Sequence, residues 1–311
     1  MIREPRISLN QLVGSLSDAV DLVSSSLVDH HKHVAYIAFC LATELGISMD
    51  DRSDLVLAGL LHDIGAVSLK DRLDLLQFEI EIPHQHSQLA YLLLRMFEPL
   101  KEIGNLVRCH HVFFDYGKRV SHMGSPVPRG SHILHLADRI AVSVKRNSPI
   151  FDQTVAIRKS IESQTGKMFD PEMVEAFKTL ATREAFWLDL TSRNIHEFLQ
   201  RRVFFRTVEL DLTGIWGLGN LFRRIIDFRS PFTATHSSGV AASAKALGEF
   251  SRLSESECKM LEIAGFIHDL GKLAVPTEVL ELPRALTREE FNIVRAHTYF
   301  TYRVLEPIVD F

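Results

Sequence analysis

Apolar residues recur at helical spacing along most of the chain. Val34, Ile37, Ala38, Leu41 and Leu45 form one stripe, and Leu55, Ala58, Gly59 and His62 fall at i, i+3, i+4 and i+7 of a second. The same spacing predicts helices over roughly 87–110, 131–145, 152–163, 171–182, 236–249, 256–267, 287–296 and 298–306. End signals agree with this pattern. Asp50 and Asp51 bring negative charge to a helix start, Gly65 after His62-Asp63 reads as a helix C-cap, and Thr287 with Glu290 spells a capping box. Only VFFRTVELDL (203–212) has strand-like composition, while Gly, Pro and Ser mark loops at 115–131, 146–152, 213–220 and 229–235. A domain boundary is expected within 185–215. The predicted fold is all-α.

Composition narrows the class. The chain has 311 residues, 46% hydrophobic and 24% charged, with net charge −4, and its mean hydropathy is +0.05. That length favours two domains, each able to bury its own core. A mildly acidic chain without a Lys/Arg block argues against DNA or RNA binding. Cys40, Cys109 and Cys258 are odd in number and widely spaced, which suits reduced thiols better than a disulfide framework. No apolar run reaches membrane-spanning length, and the arginines of MIREPRISLNQLVG precede no long apolar segment. A cytoplasmic protein with no membrane partner is expected. The unusual count is histidine, at 15.

Aligning the histidines exposes a tandem repeat. His30 is followed by Val34-Ala35, LATELG and LAGLLHDIG (57–65), and His236 by Val240-Ala241, AKALGEFS and IAGFIHDLG (263–271). In both copies 32 residues separate the first histidine from the His-Asp pair, His62-Asp63 or His268-Asp269. A third match sets His86, with Ala90-Tyr91, against His297, with Thr301-Tyr302, 23 and 28 residues beyond the aspartates. The repeat period is 206 residues, so the chain holds about one and a half copies.

Imidazole and carboxylate donors suit borderline divalent metals. A His-Asp pair at a helix end can serve two ions if its carboxylate bridges them. The first copy continues to His110-His111 and to Asp138 within ILHLADRI, giving His30, His62, Asp63, His86, His110, His111 and Asp138 as candidate ligands. Seven donors exceed the need of a four-coordinate structural zinc and suit two ions about 3.5–4 Å apart. Such a pair polarises a phosphoryl oxygen and lowers the pKa of a bridging water, chemistry suited to phosphate-ester hydrolysis. The other histidines (His31, His33, His84, His122, His132, His135 and His196) read as core or capping residues, and Cys109 as a buried thiol.

The order His, His-Asp, His, His-His, Asp resembles the HD superfamily of metal-dependent phosphohydrolases, and more narrowly its HD-GYP branch of bacterial phosphodiesterases that open cyclic dinucleotides. The resemblance runs from about Leu9 to Leu180, including GKMFDPEMVEAFKTL (166–180), and from about Leu221 onward, including HDLGKLAVPTEVLELPRALTREEF (268–291). It implies tandem helical bundles: an HD-GYP-like domain over 1–190, a linker over 191–220 and the N-terminal part of a second domain over 221–311. It also implies two divalent ions per complete site, Fe or Mn before Zn, Ni or Mg.

Departures from the family pattern qualify what it implies. The family's HD-x-G-K lysine, which meets substrate phosphate, is Lys272 in the second copy but Ala66 in the first. The loop after the double histidine reads FFDYGKRV (113–120), without the GYP element. The glutamate of members that take a third ion is Ser26 or Phe232 here, so no third ion is expected. The second copy holds His236, His268, Asp269, Lys272 and His297 but stops at Phe311 before a double histidine, and reads as truncated.

Three readings follow. The first is a metal-dependent phosphodiesterase for cyclic di-GMP or cyclic GMP-AMP, with Asp63 or Asp269 bridging the ions and Lys272 on phosphate. The second is a non-catalytic metal- or nucleotide-binding regulatory module. The third is a mononuclear nucleotide phosphohydrolase. The partners expected are a cyclic dinucleotide and either a second copy of the chain or a further half-domain covering 298–311.

Overall fold

The computed structural model describes residues 7–8, 11, 13–14, 16–18, 29–66, 84–192, 194–203, 205, 209–229 and 235–306. It is 72% helix and 3% strand, with 15 helices among the described residues, an all-α bundle as the apolar spacing predicts. Ser26, Phe232 and residues 307–311 lie outside the described residues.

The first copy is built on α1 (His30–Glu44) and α2 (Met49–Leu61), which pack along each other. Next come α3 (His84–Leu94), α4 (Lys101–Arg108) and α5 (Arg129–Ser143), followed by α6 (Thr154–Glu162), α7 (Pro171–Ala181), α8 (Glu184–Leu190) and α9 (Ile195–Arg202). Helix α1 lies at the centre, with α2, α5, α7, α8 and α9 against it. This explains why Val34, Ile37, Ala38 and Leu41 are all fully buried. The stretch expected as one helix over 87–110 is broken at Phe97, where Pro99 in a short 3-10 turn (98–100) lacks the N–H that a continuous helix needs.

The second copy repeats the opening. Helices α11 (His236–Phe250) and α12 (Glu255–Ile267) pack as α1 and α2 do. A 3-10 turn over 270–274 follows, then α13 (Thr277–Leu280), α14 (Arg288–Arg295) and α15 (His297–Leu305). Capping is duplicated at the 206-residue period. Ser48 Oγ accepts from the Asp51 amide at 3.2 Å, and Ser254 Oγ accepts from the Glu257 amide at 3.3 Å. The capping box at Thr287 and Glu290 forms as its spacing predicts.

Helix α10 (Leu212–Arg229) joins the copies. Composition predicts a loop over 213–220, yet Gly214, Gly217 and Gly219 lie inside this helix. A Cβ on Gly214 would crowd Leu210 at 3.1 Å, whereas one on Gly217 or Gly219 would make ordinary contact with Phe97 or Ile263 at 3.5 Å. At its far end, Asp227 accepts from Ser237 at 2.9 Å and from Arg223 at 2.9 Å, tying it to the first turn of α11. Of the strand expected over 203–212, the described residues show β4 (Glu209–Leu210), paired antiparallel with β1 (Ile7–Ser8); 204 and 206–208 lie outside the described residues. A second two-residue pairing, β2 (Ser121–His122) with β3 (Ser125–Pro126), forms a hairpin in the loop before α5.

Gly65 is not a left-handed C-cap. Helix α2 ends at Leu61, and a Cβ on Gly65 would lie 2.1 Å from the His86 carbonyl oxygen. Gly271 meets the His297 carbonyl oxygen at 1.9 Å in the same way. The glycine of each HD-x-G segment therefore lets the His-Asp turn press on the helix that carries the next histidine.

Candidate metal centre

Five segments deliver the seven donors of the first copy. His30 opens α1, His62-Asp63 follow α2, and His86 lies in the first turn of α3. His110-His111 follow α4, and Asp138 sits within α5. All seven are at most 7% exposed. Burying so many polar groups together is unfavourable unless they satisfy one another or a cation.

Backbone carbonyls set the orientation of two rings. His62 Nδ1–H donates to the Gly59 carbonyl at 2.8 Å, and His110 Nδ1–H donates to Val107 at 2.6 Å. A carbonyl only accepts, so Nδ1 carries the proton and Nε2 presents its lone pair to the interior. The same device holds His268 on Gly265 at 2.9 Å and His297 on Val294 at 2.6 Å.

Asp63 divides the cluster. Its Oδ2 lies 3.2 Å from His62 Nε2 and 3.8 Å from His30 Nε2, while Oδ1 lies 3.4 Å from His86 Nε2 and 3.8 Å from His110 Nε2. Asp138 Oδ1 completes the first side, 3.5 Å from His30 and 3.8 Å from His62. His111 completes the second, its Nε2 3.1 Å from His86 Nε2. His30 Nε2, His62 Nε2 and Asp63 Oδ1 are buried without a hydrogen-bond partner. Orphaned lone pairs converging from both sides of one carboxylate fit a pair of cations.

Electrostatics point the same way. Burial, helped by the neighbouring imidazoles, pushes His30 and His110 down to about 3 and His111 well below the usual histidine range. These rings are neutral, the form that binds metal. At His62 burial also opposes charge, but Asp63 and Asp138 overcome it and hold the ring up at about 9. The two carboxylates thus favour a positive charge at this point of the cluster.

Arg139 was not singled out from the sequence. It is 1% exposed, and its Nε and Nη2 donate to Asp138 Oδ2 at 3.2 and 2.5 Å. The readable signal is its position beside a ligand aspartate in an otherwise apolar helix, ILHLADRIAV.

The second copy brings three histidines around Asp269. Oδ2 lies 3.2 Å from His268 Nε2 and 3.4 Å from His236 Nε2, and Oδ1 lies 3.3 Å from His297 Nε2. Lys272 Nζ stands 2.6 Å from Asp269 Oδ2. Here the rings are open, with the His236 side chain 47% exposed and His268 36%. Ala66, at the lysine's place in the first copy, is buried.

Beside the first cluster lies a cavity of ≈ 1070 Å³, lined by His30, His33, Lys145, Arg146, Asn147 and Gln153 among others. In the loop after the double histidine, Phe113 stacks on His135 and Phe114 packs edge-on to His132, both half-buried, Phe113 against the core. Arg129 pairs with Glu172 at 2.8 Å and Arg223 with Asp227. His31 is buried against His30 and His62, His196 accepts from Gln200 on the surface, and the His84 side chain lies outside the described residues. Cys109 is a buried thiol whose pKa burial raises.

Among known proteins, the HD domain family matches residues 27–143, and a second HD domain model matches 220–309. The chain is 25% identical over 307 residues to 3′3′-cGAMP-specific phosphodiesterase 1 of Vibrio cholerae, covering 95% of this chain and 70% of that protein. It is 29% identical over 171 residues to a cyclic di-GMP phosphodiesterase of Thermotoga maritima, covering 49% of this chain but only 44% of that protein. A crystal structure of a cyclic GMP-AMP-specific phosphodiesterase from Vibrio cholerae superposes with TM-score 0.69 at 20% identity, covering 98% of this chain and 80% of that one. At that identity the superposition speaks for the fold alone. Among the described residues, no helix is long and apolar enough to cross a membrane.

Proposed function

The chain belongs to the HD superfamily of phosphohydrolases, and from that premise we propose that its first copy is a binuclear, metal-dependent phosphodiesterase acting on cyclic dinucleotides. One observation carries the reading: the two oxygens of Asp63 face two separate sets of buried imidazoles. His30, His62 and Asp138 would hold one ion and His86, His110 and His111 the other, with the Asp63 carboxylate standing between them. Two divalent ions so held supply a polarised phosphoryl oxygen and an acidified water.

The chain's own residues do the rest. The Gly59 and Val107 carbonyls keep the Nε2 atoms of His62 and His110 turned inward. The cavity beside His30 is large enough for a dinucleotide, and Lys145 and Arg146 line it with positive charge for the phosphates. The substrate class follows the names of the two similar phosphodiesterases. Iron or manganese suits the histidine-rich donor set.

For the second copy a different reading is favoured. Asp269 is already engaged by the Lys272 ammonium, and His236 and His268 are open to water. It binds one ion weakly and does not turn over substrate.

The test is to load the chain with Mn²⁺ or Fe²⁺ and follow cyclic di-GMP and 3′3′-cGAMP by chromatography. A linear dinucleotide should appear with metal and disappear with chelator. Two tightly bound ions per chain without hydrolysis of either compound would overturn the catalytic reading.

A further inference from the structure

Arg139 is the least expected charge in the first copy. Successive residues on a helix point about 100° apart, so an arginine next to a ligand aspartate has no automatic reason to meet it. Here the guanidinium is buried with Asp138, both side chains 2% exposed, and it engages one carboxylate oxygen through two of its nitrogens. A buried charge is unfavourable unless paired and hydrogen-bonded, and it recurs mainly where charge placement has a use. The two oxygens of Asp138 are thereby given separate tasks. Oδ2 takes the guanidinium, and Oδ1 faces His30 at 3.5 Å and His62 at 3.8 Å.

We propose that Arg139 is a positioning residue for the first site: its fork locks the Asp138 carboxylate so that only Oδ1 is offered to the ion shared with His30 and His62. This rests on the proposed metal centre and assigns it a residue that touches neither metal nor substrate. The arrangement has two consequences. Asp138 binds through one oxygen rather than chelating with both, which leaves a coordination position for water or a phosphoryl oxygen. The guanidinium also adds a fixed positive charge beside the ions, which favours a polyanionic substrate over a neutral one.

The test is Co²⁺ titration of the full chain followed by its visible spectrum, with Mn²⁺-dependent hydrolysis measured in parallel. Arg139→Met should weaken Co²⁺ binding to the first site by about 10- to 100-fold, the range typical when a ligand's hydrogen-bonding partner is lost. Arg139→Lys keeps the charge but not the fork and should fall between this variant and the parent. It also carries the test if Arg139→Met does not fold. Raising Mn²⁺ should restore much of the lost kcat in Arg139→Lys, with KM for substrate little moved. A purely structural role would lower the melting temperature without that metal-dependent rescue. Co²⁺ affinities of both variants within twofold of the parent would overturn the assignment of Arg139 alone. A parent chain that binds no Co²⁺ would overturn the metal centre and this assignment with it.

Discussion

The two copies share an opening and differ in what covers it. Helix α1 lies under α5, α7, α8 and α9, whereas among the described residues no such set of helices covers α11. Leu41 is fully buried, but Leu247, its counterpart 206 residues on, is 65% exposed. Glu44 pairs with Arg183 from the start of α8, and at its counterpart Phe250 is 87% exposed. The His-Asp turn itself is alike in both: the same ring-to-carbonyl hydrogen bonds, the same carboxylate between histidines, the same glycine pressed on the next histidine's backbone. A local motif therefore places the first donors, and burial decides whether they form a dry site. Low dielectric strengthens each charge interaction and excludes competing water, which the open copy does not achieve.

The largest expected contrast is chemical. Asp63→Asn keeps the shape and removes the bridging charge, so hydrolysis should fall by more than about 100-fold, beyond what loss of a ligand's supporting hydrogen bond gives. Asp269→Asn should leave turnover within about twofold, because the second copy contributes no catalysis. Equal losses in the two variants, measured as initial rates at saturating Mn²⁺, would erase the distinction between the copies.

Packing gives the next contrast. Leu41→Ala should destabilise the first copy by about 2–5 kcal/mol, the usual cost of a cavity at a buried leucine. Leu247→Ala should stay within about 0.5 kcal/mol, as surface changes do. Denaturant unfolding reads both. A comparable loss at Leu247 would mean that its face is covered in solution and that the copies are more alike than their exposures indicate.

Much of this is legible in the sequence. Histidines at helix starts and His-Asp at helix ends recur at one period, and that coincidence, with the double histidine and Asp138 further along, picks out the donor set. Other features are hidden for physical reasons. Gly214, Gly217 and Gly219 read as loop residues because glycine is costly in a helix, yet burial of Ile215, Leu218 and Leu221 holds this stretch helical. Gly65 reads as a C-cap because it follows a helix, and only the approach of His86 shows that it serves packing. Arg139 goes unnoticed because side-chain direction depends on tertiary partners that spacing does not contain.

Metal removal sharpens the comparison further. Ions that bind only the folded first copy stabilise it by about 2.7 kcal/mol when their concentration is a hundred times Kd. Chelator should therefore lower the first copy's unfolding transition and leave the second nearly unmoved. Hydrogen exchange can tell them apart, since α1 and α5 should lose protection while α11 and α12 keep theirs. Loss of protection in α11 and α12 as large as that in α1 would place a tight ion in the open copy as well.

The smallest effect tests what the copies have in common. Ser48 and Ser254 hold equivalent N-cap positions, each accepting from the third amide of its helix. Replacing either by alanine leaves that amide without its side-chain partner and should cost about 1 kcal/mol. The glutamate at N3 completes a capping box in the second copy, where Glu257 reaches back to the Ser254 amide at 2.7 Å. In the first copy the N3 residue is Asp51, which accepts from the Ser48 hydroxyl at 2.6 Å, as Glu257 does from the Ser254 hydroxyl at 2.7 Å. Ser48→Ala should therefore be the slightly costlier change, by a few tenths of a kcal/mol, because Glu257 keeps its bond to the residue-254 amide when the hydroxyl is lost. Thermal unfolding of the two variants checks the order. A near-match would locate the difference between the copies in the helices laid over them, and a loss several times larger at Ser48 would show that burial reaches even this exposed first turn.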